Sequence, residues 1–77
     1  MITFTLTHGL SRNLSDEASP ETTIGSLLSN NSYKAVLKFG ESVDAVVNGV
    51  VQNTDTTLGD LGNNITIAIE TKSNSKA

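Results

Sequence analysis

A chain of 77 residues with 36% hydrophobic content, one proline and no cysteine is long enough for one small core, and it excludes disulfide or thiolate-metal support for that core. The formal net charge of −3, the 5 dispersed basic residues and the 4% aromatic content argue against a basic groove with a base-stacking platform, so nucleic acid is not an expected partner. No apolar run reaches transmembrane length, and residues 1–10 alternate where a secretion signal would be continuously apolar, so a cytoplasmic protein with no membrane partner is expected.

Ile2, Phe4 and Leu6 alternate with Thr3, Thr5 and Thr7, the period-two pattern of a strand with one buried face. His8 and Gly9 read as a turn. Residues 10–16 carry a weaker pattern anchored by Leu10 and Leu14, which predicts an irregular second strand at a sheet edge. Ser19-Pro20-Glu21-Thr22-Thr23 combines hydroxyl caps, an early proline and an acid, so a helix is expected to start inside it. Ile24, Leu27 and Leu28 then fall at helical spacing, Asn30-Asn31-Ser32 interrupts, and Tyr33, Val36 and Leu37 repeat the spacing before Gly40. Asparagine and serine compete for backbone hydrogen bonds inside helices, so two short segments at a bend are favoured over one interrupted helix.

Asn48-Gly49 lies between Val43-Asp44-Ala45-Val46-Val47 and Val50-Val51-Gln52, the strongest short-range signal for a two-residue hairpin, because both turn positions need positive φ. Residues 53–64 read as a turn region in which Leu58 and Leu61 plug the core. Ile65, Ile67 and Ile69 then alternate with Thr66 and Ala68 in the cleanest strand of the chain. Their match to Ile2, Phe4 and Leu6 predicts that the first and last strands lie side by side at the sheet centre. Residues 1–71 are expected to form one domain, and residues 72–77 a polar, flexible tail.

The helix opening at Thr22-Thr23-Ile24 with Leu27-Leu28, then Val46-Val47-Asn48-Gly49, then Asp55-Thr56-Thr57-Leu58-Gly59-Asp60, then Ile65-Thr66-Ile67, resembles the ubiquitin-like sulfur-carrier families that serve thiamin and molybdopterin synthesis. The resemblance spans nearly the whole chain. It implies an α+β fold of the β-grasp (ubiquitin-like) type, a mixed sheet of four to five strands crossed by one interrupted helix or two short ones. The family's activity rests on a C-terminal Gly-Gly, whereas this chain has no glycine after Gly62 and ends Asn74-Ser75-Lys76-Ala77. Sulfur transfer and conjugation are therefore not expected, and the turn before the last strand, Gly59-Asp60-Leu61-Gly62-Asn63-Asn64, is longer than the family's.

The remaining chemistry is sparse. His8 is the only imidazole and would need Asp16, Glu17 or Glu21 beside it to act as a base or ligand; a turn histidine facing water is the expected reading. Asp55 and Asp60 do not have calcium-loop spacing, and no nucleophile elbow or phosphate loop occurs. No catalytic, metal or cofactor site is expected. Strand parity supplies the one candidate site: with Val43, Ala45, Val47 and Val50 facing the helices, Val46 and Val51 point to the other face, where Thr66 and Ala68 join them as a protein-interaction surface. Isolated surface valines are also ordinary strand residues. The resulting expectation is a non-enzymatic interaction or assembly module, with a protein partner or a second copy of itself, of the kind a phage or bacterium encodes as an accessory or virion-associated protein. The alternative is a degenerate sulfur-carrier-like protein whose tail, with Lys76 and Ala77, engages an activating or synthase enzyme.

Overall fold

The computed structural model describes residues 1–40 and 42–71. Strand β1 (Ile2–His8) turns through residues 9–11 into β2 (Arg12–Ala18), and the two pair antiparallel from Ile2↔Ala18 to His8↔Arg12. Two short helices follow, α1 (Ile24–Leu28) and α2 (Asn31–Leu37). The hairpin of β3 (Val43–Val47) and β4 (Val50–Val51) comes next, then the single turn of α3 (Leu58–Leu61) and the last strand, β5 (Ile65–Thr71). The sheet has 5 strands in the order β2-β1-β5-β3-β4. β5 runs parallel to β1 and antiparallel to β3, so it occupies the centre.

The break between α1 and α2 falls at the asparagines that signalled it. The Asn30 side chain accepts from the Tyr33 N–H and caps α2, so the residue that ends one helix's environment starts the next. α2 stops before Gly40: Lys38 takes the left-handed conformation at φ 60° and returns its N–H to the Lys34 carbonyl.

One face of the sheet carries the core. Phe4 and Leu6 of β1, Ile67 and Ile69 of β5, and Val43, Ala45 and Val47 of β3 are buried against Ile24, Leu27, Tyr33, Leu37 and Phe39 from the helical side, with Leu58 closing one end. The turn at Asn48 (φ 55°) and Gly49 (φ 81°) has the positive φ at both positions that a tight hairpin requires.

Several expectations are corrected in detail. The second strand lies at the edge, as expected, yet it is regular over its full length, because the β1 ladder imposes extended backbone on a polar sequence. Leu10 anchors nothing: it sits on the β1–β2 turn, fully exposed. Val36 is also exposed, on the outer side of a helix too short to bury its whole apolar stripe. Val50 pairs with Val47 and so shares its face, but it is 60% exposed because the helices do not reach the two-residue edge strand. The turn region of residues 53–64 contains α3, where Leu58 is fully buried and Leu61 only half-buried.

Candidate functional site

The uncovered sheet face is set by the same registers that build the core. Val46 pairs with Val51 on one side and with Ala68 on the other, while Thr66 pairs with Thr5 and Ala68 with Thr7. Paired residues project to the same side, so Val51, Val46 and Ala68 form a continuous apolar row across β4, β3 and β5, with Thr66 two residues along β5. Val51 is 59% exposed, Thr66 is exposed, and Val46 and Ala68 are half-buried by their neighbours in the sheet. The rest of this face is polar: Thr3, Thr5 and Thr7 from β1, Asn13, Ser15 and Glu17 from β2, and Asp44 and Glu70 opposite one another on β3 and β5. None of these residues is buried.

The four sequence-predicted interaction residues thus meet on one face. Lys76 and Ala77, the tail residues of the alternative reading, lie outside the described residues. Leu10 has a large exposed side chain that apolar spacing does not reveal; its only signal in the sequence is the Gly9 before it, which takes φ 77° in the turn.

His8, Asp16 and Tyr33 are engaged away from this face. The His8 Nδ1–H donates to the Leu37 carbonyl at 2.8 Å, and its ring meets Phe39 edge-on with centroids 6.0 Å apart. His8 therefore extends the core-facing row of Phe4 and Leu6 and caps the end of α2, where a turn histidine in water was expected. Asp16 accepts the Glu17 N–H on one oxygen and the Tyr33 hydroxyl on the other, both at 2.8 Å, and these bonds, the backbone one foremost, lower its pKa from 3.8. Burial first, then the bond and the charge of Asp16, raise the Tyr33 phenol from 10.0 to about 12. A shallow depression lined by Met1, Thr3, Ser15, Asp16 and Glu17 lies beside this pair. Among the described residues, no three of His, Asp or Glu are placed to hold a metal ion, and no helix is long and apolar enough to cross a membrane.

No protein-family model matches the sequence, and no curated protein sequence matches it. Solved structures do match. The ubiquitin of Caldiarchaeum subterraneum superposes with a TM-score of 0.74 at 15% identity, over 96% of this chain and 96% of that one. The ubiquitin-like domain of an Arabidopsis thaliana protein gives 0.70 at 18% identity, over 99% of this chain and 82% of that one. ATBAG1, solved in complex with HSP70, gives 0.76 at 11% identity over 99% of this chain, which spans 43% of that one. Identities this low speak for architecture alone. With the sheet order, the helices on one face and these superpositions in agreement, the chain has the ubiquitin-like β-grasp fold.

Proposed function

We propose that this protein is a non-enzymatic interaction module that docks a protein partner on the open sheet face through Val46, Val51, Thr66 and Ala68. The observation that carries the reading is the continuous Val51–Val46–Ala68 row on a face whose other described residues are polar and not buried. Polar neighbours give such a row a rim, and scattered valines without one would offer a partner no boundary. The complex of ATBAG1 with HSP70 is a precedent for a protein with this fold in a protein assembly.

The size of the patch sets the strength of the contact. Covering an exposed valine yields roughly 1.5 kcal/mol, and Val46 and Ala68 are already half-buried, so two valines and an alanine leave an affinity no tighter than about 1 mM unless hydrogen bonds from the threonines or contacts by Leu10 add to it. The reading therefore commits to a transient partner.

The test is a Val46→Ser/Val51→Ser double variant compared with wild type as bait and in thermal melts. Both residues lie outside the core, so the stability cost is expected to be about 1 kcal/mol or less while partner recovery is lost. Recovery unchanged from wild type would remove this face from the function. A collapse of the melting transition would show that the two valines are structural. Light scattering on the same pair reads self-association through the same face.

A further inference from the structure

The hairpin tip that orients the two valines carries a chemistry of its own. Asn48 and Gly49 are both exposed, and a Cβ built on Gly49 would meet nothing within 4 Å beyond its chain neighbours, so no other part of the fold packs against the tip at Gly49. A backbone nitrogen that follows an asparagine can attack the side-chain amide carbon, and glycine, with no Cβ, hinders that attack least. Three other asparagines are held by their side-chain oxygens. Asn30 accepts from the Tyr33 N–H, Asn53 from the Asp55 N–H and Asn63 from the Thr3 N–H. Neither the Asn48 side chain nor the Gly49 N–H takes part in the side-chain, turn and loop hydrogen bonds of the described residues.

We propose that Asn48 is a site of spontaneous deamidation, and that its product alters the open sheet face. The Gly49 nitrogen forms a bond to Cγ of Asn48, the Cγ–Nδ2 bond breaks, and Nδ2 leaves as ammonia with the proton lost from the Gly49 nitrogen. Water then adds to one of the two carbonyls of the resulting succinimide and opens it to an aspartyl or an isoaspartyl residue. No oxidant, reductant or enzyme is required. The aspartyl product adds one negative charge to a chain already at −3. The isoaspartyl product inserts a methylene into the main chain between Val47 and Val50, and a two-residue turn of altered length cannot keep Val47↔Val50 and Val46↔Val51 in register. A strand of two residues has no further ladder with which to resist that slip.

The chemistry stands independently; its regulatory consequence rests on the docking role proposed for Val46 and Val51. The experiment incubates the folded protein in mildly alkaline buffer and follows it by intact mass and peptide mapping, with isoaspartyl-specific enzymatic methylation as a second readout. The expected result is a mass shift of one amide exchanged for one acid, mapping to Asn48 before Asn30, Asn53 or Asn63. It should be absent in Asn48→Gly, which keeps a residue tolerant of positive φ in the turn. An intact Asn48 amide in the folded protein, under conditions that convert a peptide of residues 45–52, would overturn the proposal. Partner recovery is then compared for the converted fraction, Asn48→Asp and the Val46→Ser/Val51→Ser variant. Loss in the converted fraction supports the regulatory consequence. Unchanged recovery after confirmed conversion overturns that consequence alone, and unchanged recovery with the double serine variant overturns the docking role instead.

Discussion

The Tyr33 hydroxyl is the residue whose chemistry reaches furthest, because it bonds the edge strand β2 through Asp16 and packs edge-on to Phe4 with ring centroids 6.2 Å apart. Replacing it in Tyr33→Phe keeps the ring and removes the bond, at an expected cost of about 1 kcal/mol in denaturant unfolding. The pH dependence has two limbs. Asp16 has a folded pKa below its ordinary value of 3.8, so its contribution is present above that value and is lost as the pH falls through the folded pKa. Tyr33 is raised from 10.0 to about 12, so its contribution is present below 10.0 and is lost as the pH rises towards 12. Melting temperatures across both windows should fall less steeply at each end in Tyr33→Phe than in wild type; identical profiles would mean that the bond has no energetic role.

Among the elements, the entries to α1 and α3 form a reciprocal clasp. Thr22-Thr23-Ile24-Gly25 and Thr56-Thr57-Leu58-Gly59 are near-copies in sequence. Thr23 and Thr57 cap their helices from their side chains, Ile24 N–H donates to Thr56 and Leu58 N–H to Thr22, while Gly25 N–H donates to Thr54 and Gly59 N–H to Pro20. The close approach explains the glycine: a Cβ on Gly59 would lie 3.1 Å from both Cβ and the carbonyl oxygen of Pro20, and backbone cannot easily yield. Gly59→Ala is therefore expected to destabilise by about 1–3 kcal/mol. Gly40→Ala, with open space and no positive φ, should be neutral or slightly stabilising, and paired chemical melts read the difference directly. The period-two strands, the helix break and the hairpin were legible in the sequence because each is a local preference written in adjacent residues. The clasp was not, since its partners are about thirty to forty positions apart and its bonds are between main-chain atoms that no side chain advertises. For the same reason Leu10 was misread: periodicity reports apolar spacing, and only the turn geometry shows that this leucine points at water.

At the scale of the molecule, the core is small enough for one residue to decide its fate. Leu58 is fully buried at the end of the core, and Leu58→Ala is expected to cost about 2–5 kcal/mol. A core of this size rarely supplies more than about 3–5 kcal/mol net, so this variant should show no cooperative melt at 37 °C by circular dichroism, whereas Leu10→Ala should melt like wild type. The outer strand pairs were readable from neighbouring segments, but the placing of β1 and β5 side by side rested on matched isoleucine and phenylalanine faces; the sheet order bears it out, and the structure adds that the two run parallel. That union fixes a sequence of events in time. Both hairpins and the helices precede β5 in the chain, yet β1 and β3 are joined in the sheet only through it, so the sheet cannot be completed until residues 65–71 take their place between two inner edges that are otherwise unpaired.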